Sequence, residues 1–190
     1  MKNDKPYLIY ALNKNGDLVH IDSVPNGNKC ECFCPHCKSE LCAKNGGSGE
    51  KMVHHFAHIN GADCVGAVES ALHKMAKDVM KETLSIQLPD RLDGSRGELL
   101  KFDNIEVECY DKETNLRPDC IGHYGDKVIW IEFKRTHAVD AKKKGKIISA
   151  KIDCIELDLN VCNQDPDEVR NFIINETQNR IWIRDTEQKN

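Results

Sequence analysis

Three residues near the middle of the chain have the types and spacing of an acidic site: Asp119, then Glu132 and Lys134 separated by one residue. Two carboxylates offer hard oxygen ligands to a divalent cation, and an ammonium beside them can offset negative charge that builds up on a substrate. Their frame is the stretch 116–134, read as strand-like runs at 116–122 and 127–135 around a turn at His123-Tyr-Gly-Asp126. Side chains alternate between the two faces of a strand. Glu132 and Lys134 therefore share a face with Val128 and Trp130, while Ile129, Ile131 and Phe133 point into apolar packing. A loop of two or four residues then puts Asp119 on the face of Glu132 and Lys134, one diagonal step away.

A second group lies upstream. Cys34-Pro-His-Cys37 has a two-residue gap, which lets a tight turn hold two thiolates at the edge length of a tetrahedron whose Zn–S distances are about 2.3 Å. Partners must come from His54, His55, His58 and Cys64. His55 and His58 repeat the two-residue gap and are the expected pair, with Cys64 as the alternative ligand. Cys30, Cys32 and Cys42 could also ligate, so the set stays open. Four protein ligands leave no vacant position, which makes the zinc structural. Six of the ten cysteines fall between Cys30 and Cys64. No apolar leader or membrane-spanning run is visible, so a cytoplasmic location is expected, where clustered cysteines point to metal and not to disulfides.

The elements that must position these groups follow from the remaining pattern. The 190 residues suit one ordinary domain and a small appendage. Runs at 7–12 and 18–24 form an opening hairpin around Asn13-Lys-Asn-Gly-Asp17, and residues 1–65 read as a β-rich zinc-binding module too small to build a core alone. From residue 66 the period becomes helical. Val68, Leu72, Met75 and Val79, with Ala71 and Ala76, define one apolar face, and Glu69 and His73 are i,i+4 neighbours at its margin. Residues 86–103 read as a loop, 104–110 as a strand, and 138–148 as a helix capped by Thr136 with its lysine run exposed. A strand at 152–159, a helix at 166–176 and a strand at 181–183 complete a second domain, 66–190. The fold class is α+β grading into α/β. A net charge of −4 announces no global basic field, although a local basic patch could still meet nucleic acid.

The order helix, three strands, helix, strand, with D-x12-E-x-K on the second and third strands and Pro118 before Asp119, resembles the PD-(D/E)xK nuclease superfamily and its restriction-endonuclease-like core. Within it the chain is similar to the competence CoiA-like nucleases. That resemblance rests on Cys-Pro-x-Cys, His-Phe-Ala-His, Glu69-Ser-Ala-Leu-His73, Arg117-Pro-Asp119, Glu132-Phe-Lys134, Thr136-His137, Ile155-Glu-Leu-Asp-Leu159 and Trp182. It implies a Mg²⁺-dependent (or Mn²⁺-dependent) endonuclease acting on DNA, with RNA or single-stranded DNA as alternatives. Asp119, Glu132 and the Phe133 carbonyl would hold the ion, Lys134 would position the attacking water, and Glu69 would complete the metal site. His73, Arg117 and His137 are further contacts implied for phosphate, and the run containing Lys142 and Lys143 could meet a phosphate backbone. Such a nuclease would act as a homodimer or within a larger DNA-processing or defence complex. The competing reading is a non-catalytic, zinc-containing nucleic-acid-binding adaptor on the same fold.

Overall fold

The computed structural model describes residues 6–47, 53–91, 94–136 and 138–186. The chain divides into two compact units, the second beginning at Ala76, inside helix α1 (Ala67–Thr83). Among the described residues no helix is long and apolar enough to cross a membrane.

In the first unit, β1 (Tyr10–Leu12) and β2 (Leu18–His20) form a hairpin in which Tyr10 faces His20. Asn13 closes it, its side-chain oxygen accepting the N–H groups of Asn15 and Asp17 at 2.9 Å each. The strands β3 (Gly27–Phe33), β4 (Glu40–Lys44) and β5 (His55–His58) extend this to an antiparallel sheet of order β2-β1-β3-β4-β5. β3 is interrupted where Glu31 takes a left-handed backbone, φ 50°, and Cys30 and Cys32 on either side of it are both buried. Ala11, Ile21, Leu41, Ala43 and Phe56 form the apolar interior.

α1 follows the expected period, with Val68, Ala71, Leu72, Met75, Ala76, Val79 and Met80 all buried. The stretch that reads as a loop instead contains a short hairpin, β6 (Ser85–Gln87) with β7 (Leu99–Lys101), anchored by the fully buried Ile86. The main sheet of the second unit has the order β12-β11-β10-β9-β8. β8 (Asn104–Val107), β9 (Cys120–Tyr124) and β10 (Lys127–Lys134) form an antiparallel meander. Helix α2 (Ala141–Ser149) then crosses to β11 (Asp153–Asp158), which runs parallel to β10. Helix α3 (Pro166–Asn175) leads to β12 (Arg180–Arg184), antiparallel to β11.

α2 begins at Ala141, and its N-cap is Asp140, not Thr136; the Asp140 side chain accepts the Lys143 N–H at 2.8 Å. Just ahead of the helix the Val139 N–H is held by the buried Glu156 carboxylate at 2.5 Å, a tertiary contact with β11. β10 is the central strand, and on it Ile129, Trp130, Ile131, Glu132 and Phe133 are all buried. Both of its faces are covered, as expected of a strand with a parallel neighbour. On the even-numbered face Trp130 packs with Ile147 of α2 and Cys154 of β11.

On β9, Gly122 lies under the buried ring of Phe102, and a Cβ there would overlap that ring. Phe102 is in turn held edge-on to Tyr124, with centroids 6.2 Å apart, so it has little room to yield. Gly122→Ala should therefore cost about 1–3 kcal/mol. A lower urea midpoint at unchanged slope would show it.

Candidate functional site

The first unit brings Cys34, Cys37, His58 and Cys64 together, their ligating atoms all within 4.8 Å of one another. Cys34 Sγ is 3.8 Å from Cys64 Sγ, and Cys37 Sγ is 3.2 Å from His58 Nε2. A tetrahedron with Zn–S bonds of about 2.3 Å has edges of about that first length, so a Cys₃His set fits zinc. The chain arrives there through two turns. Between β3 and β4 the Lys38 N–H returns to the Cys34 carbonyl at 3.1 Å, and after β5 the Gly61 N–H returns to the His58 carbonyl at 3.0 Å. The His36 ring, within the Cys-Pro-His-Cys turn, reaches Ser70 Oγ of α1 at 3.0 Å.

Cys64 takes the place expected for His55. The two-residue gap that suits a turn fails on a strand, because residues three apart on β5 point to opposite faces. His55 donates instead from Nδ1 to the Val53 carbonyl at 2.8 Å and lies against Tyr7, ring centroids 4.8 Å apart. His54 pairs with Asp22 at 2.5 Å. Cys30 and Cys32 are occupied with backbone carbonyls, of Leu41 and of Cys30 respectively, each at 3.2 Å, and Cys42 lies outside the cluster.

The four ligands are electrostatically unequal. Burial pushes the Cys34 thiol up to about 11. The Ser39 hydroxyl and N–H, with help from His58, pull Cys37 down to about 6. A metal ion would have to displace the proton of Cys34 while finding Cys37 already largely ionised.

The acidic residues meet in the second unit. The β9–β10 turn is Gly125–Asp126, with Tyr124 opposite Lys127 and Cys120 opposite Ile131. Gly125 has φ +54°, and its N–H donates to Asp103 Oδ2 at 2.8 Å, which suits a two-residue hairpin. Continued by one residue, this register sets Asp119 directly across from Glu132 and not on a diagonal. Asp119 Oδ2 accepts the Phe133 N–H at 2.9 Å, and Oδ1 pairs with Lys77 Nζ at 2.7 Å. Lys77 also reaches Glu108 Oε1 at 2.8 Å. Burial works to lower the Lys77 pKa, but the two carboxylates outweigh it and the pKa is raised.

Glu132 is 4% exposed. Its Oε2 pairs with Lys143 Nζ at 2.7 Å, while Oε1 has no hydrogen-bond partner among the described residues. Burial pushes the carboxyl up to about 7, Lys143 pulls against this, and the Asp119 charge adds to the rise. Lys134, on the same face, pairs with Asp158 Oδ2 at 3.0 Å, its in-register neighbour on β11. It opens on a cavity of about 180 Å³ shared with Glu156, Asp158 and Arg180.

Of the other residues singled out, Glu69 and His73 lie on α1 with Oε1 and Nε2 3.9 Å apart. Arg117 is exposed and its charge acts on Glu108. Lys142 is exposed, whereas Lys143 is half-buried and turned to Glu132, so the lysine run is not uniformly a solvated face. His137 lies outside the described residues. Sequence reasoning missed Lys77 and Glu108. Lys77 is visible only as a lysine adjoining an apolar stripe, and Glu108 only as an acid within the run 104–110; in the structure β8 ends at Val107 and Glu108 turns left-handed at φ 53°.

Two outcomes are expected. Cys37→Ser and Cys64→Ser should lose the zinc of a protein that carries about one per chain, and His55→Ala should keep it, as read by metal analysis. For Glu132, the folded pKa of about 7 lies above the ordinary 4.5, so its burden on the fold is absent below pH 4.5 and complete above about pH 7. In EDTA, wild-type stability relative to Glu132→Gln should fall by up to about 3 kcal/mol across that window, measurable by urea unfolding at several pH values.

Residues 19–66 match the family model described as the competence protein CoiA, N-terminal domain. No curated protein and no solved structure matches the chain. The matched segment contains all four residues of the Cys/His cluster and ends where α1 begins, and over that segment the protein is CoiA-like.

Proposed function

We propose that this chain is a divalent-cation-dependent nuclease that hydrolyses DNA phosphodiester bonds in a competence-related process, with a structural zinc in its first unit. The observation that carries the reading is the pair Asp119 and Glu132. A buried carboxylate with one unpartnered oxygen stands across a hairpin from a second carboxylate, in the D-x12-E-x-K frame. The match to a competence-protein family supports the biological setting.

The donors suit a hard cation, since both are carboxylate oxygens and one is an orphaned acceptor. Glu132 and Asp119 would hold Mg²⁺ or Mn²⁺, with the Phe133 carbonyl added by the resemblance. When bound, such an ion polarises a phosphate and lowers the pKa of a water. Both oxygens of Asp119 already have partners, Lys77 and the Phe133 N–H. Lys77 sits between Asp119 and Glu108, so its ammonium can pass to Glu108 and keep a carboxylate partner. The Phe133 N–H fixes the Asp119 carboxylate toward β10. Arg117 and Lys142, both exposed, supply positive charge for a phosphate backbone. By the resemblance, Lys134 positions the attacking water.

One observation favours the adaptor reading. Each acid of the pair is already neutralised by a lysine, Asp119 by Lys77 and Glu132 by Lys143, as in a fold that binds without cutting. The two readings separate in one assay, with supercoiled, linear and single-stranded DNA and RNA incubated in Mg²⁺, Mn²⁺ or EDTA. Wild type should cleave DNA only with metal, and Asp119→Asn and Glu132→Gln should each lose about a hundredfold or more. Cleavage that survives both substitutions rejects the proposed site, and binding without cleavage in every metal selects the adaptor.

A further inference from the structure

Two lysines compete for the work of an ammonium at the acid pair, and the geometry treats them differently. Lys134 completes the E-x-K triplet, yet its Nζ is 3.0 Å from Asp158, the residue beside it on the parallel strand, and it lines a cavity that includes neither Asp119 nor Glu132. Lys143 belongs to no motif, yet its Nζ is 2.7 Å from Glu132 Oε2.

The position of Lys143 follows from how α2 lies on the sheet. Ile147 packs on Trp130. One helical turn back from Ile147 is Lys143, and two residues onward from Trp130 on the same face is Glu132. Four helix residues advance about 6 Å and two strand residues about 6.6 Å, so a helix running opposite to β10 carries the lysine over the carboxylate. The packing of Ile147 on Trp130 thus aims Lys143.

Resting on the nuclease reading above, we infer that Lys143 is a catalytic residue of this site, its ammonium donating a hydrogen bond to a non-bridging oxygen of the scissile phosphate beside Glu132. The two oxygens of Glu132 are divided: Oε2 pairs with Lys143, and Oε1, itself buried, has no hydrogen-bond partner among the described residues. If Glu132 held a divalent cation, its carboxylate would grip the Lys143 ammonium less tightly, and Lys143 would be free to donate to a phosphate oxygen beside it. The side chain of Lys143 is 22% exposed, enough for a phosphate to reach it. No covalent bond to the lysine forms or breaks. It offsets charge on the phosphate as the transition state is reached.

The test compares Lys143→Met, Lys134→Met and Glu132→Gln in the full zinc-loaded chain, with Lys101→Met, on exposed β7, as a control for lost charge. Cleavage of plasmid DNA in Mg²⁺ is followed at saturating enzyme, and DNA affinity is measured separately in Ca²⁺. Lys143→Met should slow cleavage by about a hundredfold, with affinity changed no more than about threefold, and should lose more rate than Lys134→Met. Lys101→Met should cleave as wild type does. Lys143→Met leaves Glu132 unpaired, so melting curves accompany each variant. If it does not fold, Lys143→Arg keeps the ion pair and should still slow cleavage by about tenfold, because a planar fork replaces a point charge. A Lys143 variant that folds and cleaves at the wild-type rate, loses affinity alone, or loses less rate than Lys134→Met overturns the assignment. Undiminished cleavage by Glu132→Gln, or an inactive wild type, overturns the nuclease reading itself.

Discussion

A carboxylate cannot sit in the middle of a sheet without compensation, and Glu132 sits there at 4% exposure. Moving an ionised group out of water costs several kcal/mol unless charge and hydrogen bonds replace what the solvent supplied. Lys143 replaces part of it, at 2.7 Å from one oxygen. That requirement constrains the second unit, since α2 must lie where its lysine meets the strand. Glu156 shows the same demand one strand away. It is equally buried, and it holds the Val139 N–H just ahead of α2.

The remaining oxygen of Glu132 marks the limit of the compensation. A fold selected for stability alone would satisfy both oxygens or place an apolar residue there. Here one oxygen is left over, beside a second carboxylate whose own charge adds to the burden. Buried groups under such strain concentrate where chemistry is done. The same arrangement is costly without a ligand, which is why the neighbouring ammonium groups of Lys77 and Lys143 close on the two acids.

The first unit meets a different constraint, the small core available to a short β-rich segment. Cys34, Cys37, His58 and Cys64 converge from two turns and one strand end, and a metal ion shared by all four would join segments that apolar contact holds weakly. The unequal thiols fit this arrangement. Cys34 is buried and holds its proton, while Cys37 faces solvent and gives its proton up readily.

Local pattern alone determined much of this protein. Strand parity put Glu132 with Lys134, the apolar period placed α1, and the Cys-x-x-Cys gap located half of the cluster, because each depends only on neighbours in sequence. Tertiary structure decided the rest. His55 and Cys64 could not be ranked without knowing that residues 55–58 form a strand, which turns His55 away. Asp119 moved from a diagonal to a direct partner of Glu132 because hydrogen bonding fixed a two-residue turn. The cap fell to Asp140 and not to Thr136, and the segment between them is tied to the sheet where Glu156 of β11 accepts the Val139 N–H. The partners of the acids, Lys77 on α1 and Lys143 on α2, come from helices whose distance in sequence carries no trace of contact. Only packing could bring them there.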